Sequence, residues 1–160
     1  MKILLVNPSQ ATVYGKFVKK PDFFSIGLAY IGVTLIGGGH TVRFLDIDRQ
    51  RVTENAFKSI LMNGDYDVVG ITATSPTIKN VMKLAQLVKM NSRCKLVLGG
   101  AHPTLFPDDC FETGDVDFAV RGEGEETISD LLKLLDDEKG YPSIRGLSYK
   151  LNGVVSHNPD

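Results

Sequence analysis

Asp67-Val68-Val69-Gly70-Ile71-Thr72-Ala73-Thr74-Ser75-Pro76 is the stretch from which the architecture unfolds. Its first half is apolar at successive positions, the pattern of a central parallel strand covered on both faces. Its second half changes within a residue to small and hydroxyl-bearing side chains. The same change recurs where Lys95-Leu96-Val97-Leu98 runs into Gly99-Gly100-Ala101-His102-Pro103-Thr104, and where Phe118-Ala119-Val120 runs into Arg121-Gly122-Glu123-Gly124-Glu125. In an open parallel sheet these strand ends form one rim, and ligands bind along it. The repeated change predicts a rim built to hold something flat and polar.

On either side of these strands, short apolar runs alternate with helical patterns. Ile3 to Val6 reads as a first buried strand. A loop rich in Lys and aromatic residues, Tyr14 to Phe24, leads to Ser25, a candidate N-cap. Ile26 to Ile36 then reads as a buried helix with a glycine stop at Gly37-Gly38-Gly39. Thr41 to Asp46 alternates like an edge strand, and Val52 to Met62 reads as an amphipathic helix stopping at Asn63-Gly64. Pro76 suits a helix N-terminus, after which Ile78, Val81, Met82, Ala85 and Val88 recur at helical spacing. A short helix is read around Phe106 to Phe111. Glu125-Glu126 opens a last helix with the stripe Ile128, Leu131, Leu132 and Leu135, its acids at the positive end of the dipole.

About five β–α units with right-handed crossovers predict an α/β fold. It is a three-layer αβα domain, Rossmann-like or flavodoxin-like, with a parallel sheet of about five strands in the order 2-1-3-4-5. Beyond Pro142 the rhythm changes. Gly146 to Lys150 and Val154 to Ser156 straddle Asn152-Gly153, a β-hairpin signal. The expected division is therefore 1–140 for the Rossmann-like domain and 141–160 for a C-terminal hairpin and linker.

A chain of 160 residues, 42% hydrophobic and 23% charged, suits one domain with a substantial core. Its net charge of −1, with Lys mixed among Asp and Glu, argues against a nucleic-acid surface. The apolar run at the start is too short for a signal-peptide core or a membrane span, so the expectation is a cytoplasmic protein without a membrane partner. Cys94 and Cys110 have no short-spacing partner, which supports neither a disulfide framework nor a zinc site, and two thiols are too few for an iron–sulfur cluster.

Each rim loop has a structural and a functional reading. The glycines of Arg121-Gly122-Glu123-Gly124-Glu125 suit a tight strand-to-helix turn. They also let backbone N–H groups approach a phosphate or amide. Gly99 and Gly100 remove side chains where a ligand would press on the backbone. His102 is either a hydrogen-bonded loop histidine or a ligand. Thr72, Thr74, Ser75 and Thr77 are capping hydroxyls or a set of donors and acceptors. The rim shows no nucleophile with an evident base, no carboxylate pair and no P-loop, and so reads as a binding site without catalytic machinery of its own.

Five blocks point further: Gly27 to Ile31; Gly39-His40-Thr41-Val42 with Asp46; Asp67 to Thr72; Val97 to Thr104; and Asp117 to Glu125. In that order they resemble the N-terminal cobalamin-binding domain of radical S-adenosylmethionine enzymes, a group with cobalamin-dependent methyltransferases and anaerobic magnesium-protoporphyrin ester cyclases. Ile144 to Tyr149, with Gly153, Val154 and Asn158, looks like the hairpin that precedes the radical barrel in that family. The family's Cys-x-x-x-Cys-x-x-Cys motif does not occur, so the chain reads as the cofactor domain of a longer protein. The Asp-x-His-x-x-Gly signature that supplies a histidine to cobalt elsewhere is also absent, which speaks against a protein metal ligand.

The resemblance implies cobalamin as cofactor. Asn7, Pro8 and Ser9, Thr72, Ala73, Thr74, Ser75 and Thr77, Gly99, Gly100, His102, Pro103 and Thr104, and Arg121, Gly122, Glu123, Gly124 and Glu125 would wrap the corrin and its nucleotide tail. It further implies, for the whole protein, S-adenosylmethionine, a 4Fe-4S cluster, a C-terminal radical domain as partner, and methyltransferase or cyclase activity. Other readings differ in what they need. A flavin or nucleotide domain of flavodoxin type needs a Gly-rich phosphate loop after the first strand, and Asn7-Pro8-Ser9-Gln10-Ala11 has no glycine. A response-receiver module needs acids and a lysine where this chain has Asn7, Thr72 and Arg121. A non-catalytic interaction module is the remaining alternative.

Overall fold

The computed structural model describes residues 1–10 and 25–160. The loop read at Tyr14 to Phe24 lies outside the described residues. Among the described residues, seven strands form one sheet: β1 (Lys2–Asn7), β2 (Thr41–Asp46), β3 (Val68–Thr72), β4 (Lys95–Gly99), β5 (Phe118–Val120), β6 (Leu147–Leu151) and β7 (Val154–His157). Their order is β2-β1-β3-β4-β5-β6-β7. The first five are parallel, and β5–β6 and β6–β7 pair antiparallel. The hairpin thus extends the predicted parallel sheet edge to edge. Its turn residues Asn152 and Gly153 both have positive φ, 51° and 82°, as the Asn-Gly pair requires.

Among the described residues, five α-helices complete the layers: α1 (Ile26–Gly37), α2 (Glu54–Gly64), α3 (Ile78–Asn91), α4 (Ala101–Leu105) and α5 (Gly124–Lys133). Alternation along each strand divides the core in two. Leu4, Val6, Val69, Ile71, Leu96 and Leu98 pack with Phe57 and Leu61 of α2 and Val81, Ala85 and Val88 of α3. Ile3, Leu5, Val68, Val97, Phe118 and Val120 pack with Leu28 and Leu35 of α1 and Ile128 and Leu131 of α5. α1 carries no charged residue and starts where the Ser25 hydroxyl accepts from the Leu28 N–H at 3.4 Å. At Gly32 a Cβ would lie 2.0 Å from the Phe44 ring, so the missing side chain lets α1 settle onto β2.

Two local readings change. α2 runs through Asn63 and Gly64 and ends at Asp65, whose φ of 46° makes the left-handed turn. Gly64 serves packing instead of stopping the helix, since a Cβ there would lie 1.9 Å from the Tyr66 ring. The helix expected at Phe106 to Phe111 begins earlier, as α4 directly off β4, and only a 3-10 turn at Asp108–Phe111 follows. Pro103 is tolerated because it falls within the first turn of α4, where its missing N–H would be unpaired anyway.

Candidate functional site

The C-terminal ends of β3, β4 and β5 open onto a cleft between the sheet and α1 and α5, with a cavity of about 150 Å³. Leu5, Gly70 and Val97 form its floor, Leu28, Ile31 and Leu35 of α1 one wall, and Ile128 and Leu132 of α5 the other. Thr72, Gly99, Gly100 and the turn Gly122 to Glu125 form its mouth. The deep part is apolar and the mouth polar. That pattern suits a flat ring inside and a polar group at the entrance.

The mouth loops are tied together before any ligand arrives. The Ala73 N–H donates to the Gly99 carbonyl at 2.7 Å, and the His102 N–H to the Ala73 carbonyl at 3.1 Å. The Thr104 hydroxyl donates to the Gly100 carbonyl and accepts the Gly122 N–H, both at 3.0 Å. The Thr77 hydroxyl accepts the Thr74 N–H at 3.0 Å, closing a capping turn ahead of α3. Three rim loops are therefore one hydrogen-bonded unit, and a ligand would find its partners already placed.

The two central glycines do different work. Gly99 faces the cleft with room to spare, the nearest atom to a Cβ being the Val120 carbonyl oxygen at 4.0 Å. Gly100 has φ of 103°, and a Cβ there would meet the Ala73 carbonyl oxygen at 2.8 Å. Its backbone conformation and the close approach of β3 both require glycine.

The remaining predicted residues divide by position. Asn7 is buried and its amide donates to Asp46 Oδ2 at 2.8 Å, while the Ser9 hydroxyl donates to Asp48 Oδ1 at 2.6 Å. Both side chains bond to carboxylates at and just beyond the end of β2, and neither they nor the buried Pro8 between them line the cleft. Ala73, Pro103 and His102 are buried beneath the rim, whereas Thr74, Ser75 and Thr104 lie on it. Arg121 reaches the C-terminal tail: its guanidinium donates to the Asn158 carbonyl and pairs with Asp160 at 3.1 Å.

His102 is 4% exposed. Its Nδ1 shares a hydrogen bond of 3.0 Å with the Ser75 hydroxyl, and Phe106 stacks at a tilt, centroids 5.4 Å apart. Its Nε2 lies 3.4 Å from Asp109 Oδ2 but makes no hydrogen bond among the described residues. A reading along the chain finds no base beside a hydroxyl, yet the fold places Ser75 and His102 in contact across 27 positions. Sequence reasoning also missed the walls from α1 and the floor at Gly70. The signal available was the absence of charge in Ile26 to Gly37 together with glycine inside a β-branched strand. Among the described residues, no three His, Cys, Asp or Glu side chains converge as a metal site. No helix among them is long and apolar enough to cross a membrane.

Comparison with known proteins adds identity to the geometry. Residues 18–132 match the family model described as the B12 binding domain. An uncharacterized methyltransferase of Pyrococcus horikoshii is 34% identical over 99% of this chain and 35% of its own length. The anaerobic magnesium-protoporphyrin IX monomethyl ester cyclase of Synechocystis is 27% identical over 94% of this chain and 31% of its own length. The chain thus spans about a third of the curated relatives it matches. In structure it superposes on the radical S-adenosylmethionine methyltransferase TsrM of Kitasatospora setae, solved with cobalamin and a 4Fe-4S cluster. The TM-score is 0.82 at 18% identity, over 99% of this chain and 28% of that one, a likeness of fold.

Proposed function

The chain belongs to the B12-binding domain family, and on that premise we propose that its rim and cleft hold the corrinoid of a longer radical S-adenosylmethionine enzyme. The observation that carries the reading is the apolar cleft opening at the glycine-lined mouth. A cavity of about 150 Å³ takes a benzene-sized ring, and this one is open at one end, so the planar base of the nucleotide tail fits with its ribose and phosphate toward Gly99, Gly122 and Gly124. Thr72, Ser75, Thr104 and the loop from Gly122 to Glu125 then face the corrin periphery. The bound corrinoid supplies a transferable methyl group or a tunable radical centre. What this chain supplies is binding, orientation and the exclusion of water from the buried base.

Residues 1–140 are the cofactor-binding unit in this reading, and 141–160 lead toward a downstream radical domain that brings S-adenosylmethionine and a 4Fe-4S cluster. The relatives' threefold greater length and their names support a methyltransferase or cyclase as the whole protein, and we place it in the cytoplasm. Because the chain would cover only one side of the corrinoid, its own affinity is expected to be modest, micromolar or weaker. Titration of the 160-residue chain with hydroxocobalamin, followed by visible spectroscopy and equilibrium dialysis, tests this. Saturable binding that is lost on filling the cleft supports the reading, and no retention at millimolar cofactor overturns it.

A further inference from the structure

We propose that Asp109, acting through buried His102, fixes Ser75 as a hydrogen-bond acceptor on the rim, so that the site selects corrin peripheries bearing amides over those bearing carboxylates. The inference rests on the corrinoid reading and adds a determinant of specificity to it.

Ser75 is exposed on the rim, His102 is 4% exposed behind it, and Asp109, itself half exposed, lies on the other side of the imidazole. Nδ1 of the imidazole contacts the Ser75 hydroxyl at 3.0 Å and Nε2 faces Asp109 Oδ2 at 3.4 Å. The hydroxyl can donate to Nδ1 or accept from it, and which occurs depends on where the ring carries its proton. Nε2 is closed off from solvent, so no water bridges it to the half-exposed Asp109 carboxylate; a lone pair there would face that oxygen and be repelled, whereas an N–H is attracted. The proton therefore belongs on Nε2. Nδ1 is then an acceptor, and Ser75 spends its only proton inward.

What Ser75 shows to the rim is consequently a pair of oxygen lone pairs made more basic by the bond to His102. Such a group accepts an N–H and has nothing to offer a carboxylate. Neighbouring Asp108 does not compete for the imidazole, since it is engaged by His157 Nε2 at 3.0 Å. The corrin ring of cobalamin carries primary amides around its edge, and each is an N–H donor. A site that leaves a buried or half-buried partner unpaired rejects the wrong ligand strongly. Glu123 and Glu125 at the mouth repel carboxylates as well, so the test must separate their effect from that of Ser75.

Two measurements on the full 160-residue chain do so. Nitrogen-15 correlation spectra of the ligand-free protein at mildly alkaline pH, with His102→Ala to assign the signals, should show the proton of His102 on Nε2. Asp109→Asn should shift that population toward Nδ1. Binding of cobinamide, which carries amides and lacks the nucleotide, is then compared with binding of cobyrinic acid, which carries carboxylates. The wild type should prefer the amide form by about a hundredfold, and Ser75→Ala should cut that preference about tenfold, leaving the part due to Glu123 and Glu125. Circular dichroism should show Ser75→Ala folded as the wild type is. A proton found on Nδ1 overturns the proposal, as does a preference that Ser75→Ala leaves intact. A wild type that binds neither corrinoid and also fails to bind cobalamin overturns the reading of the site itself, and the specificity falls with it. Cobalamin binding without discrimination between the two probes overturns the specificity alone.

Discussion

Across the sheet at the level of β1 residue 6, the face under α2 and α3 presents Val6, Ile71, Leu98 and Ala119 in register, all buried. One residue earlier, and so on the opposite face under α1 and α5, the row runs Leu5, Gly70, Val97 and Phe118, and the row above it contains Thr72 and Gly99. Apolar side chains fill the first face up to the strand ends. On the second, two glycines and a threonine leave the upper half of the layer without side-chain volume, and the helices that cover it bridge over a cavity instead of closing it. The same strands thus build a wall for stability and a cleft for a ligand. The difference is which parity of each strand carries the small residues.

The largest test of that contrast is on the filled face. Phe57, 1% exposed, fills the layer between α2 and the sheet. Phe57→Ala should cost about 3–5 kcal/mol, seen as a fall in the urea midpoint, while the affinity per folded molecule for a corrinoid stays unchanged. On the open face the outcome should reverse. Gly99→Leu places its side chain in the cavity without a backbone clash, so the midpoint should move by less than about 1 kcal/mol while hydroxocobalamin affinity drops about a hundredfold. Equal destabilisation by both variants would mean that the two faces are packed alike. Gly100→Val sharpens the comparison, because its φ of 103° and its contact with Ala73 predict loss of stability and binding together.

A smaller effect is expected where the tail closes the sheet edge. The Asn158 amide is buried and donates to the Tyr141 and Ile144 carbonyls at 2.6 and 2.7 Å. Asn158→Ala should cost about 1–3 kcal/mol, read from thermal unfolding, and should release Arg121 from the tail without emptying the cleft. The last test, silent at neutral pH, is again on the filled face. Burial pushes the Cys110 thiol up from its ordinary 9.0 to about 12, aided by nearby Asp109 and Asp108. Between those values the unfolded chain loses the thiol proton and the folded chain keeps it. Stability is therefore full below pH 9 and declines as pH rises toward 12. Cys110→Ala should flatten that part of the pH profile of the urea midpoint relative to the wild type.

Part of this architecture was legible residue by residue. The apolar strands with small residues at their ends, the caps at Ser25 and the Asn152-Gly153 turn are local signals, and each reports a conformation that neighbouring residues impose. Handed crossovers gave the layers, the order 2-1-3-4-5 was the flavodoxin-like choice among those they allow, and turn chemistry gave the glycine-bearing rim. Other features were not legible because they join distant segments. The stop read at Asn63-Gly64 failed since Gly64 answers to Tyr66, and the helix read at Phe106 began at Ala101 since α4 is held by the rim's own hydrogen bonds.

The sequence by itself determined the five parallel strands, the hairpin turn and the end at which the ligand-bearing loops gather, because alternation and glycine placement act along the chain, whereas the attachment of that hairpin to β5 at the edge of the sheet was decided by packing. Only the tertiary structure decided that Gly70 and Gly99 share one cavity, that Gly100 is committed to the backbone, that Arg121 belongs to the tail, and that Ser75 is backed by His102 and Asp109. Those relations depend on distances between residues far apart in sequence. Such distances are fixed when the two cores pack, and no periodicity records them.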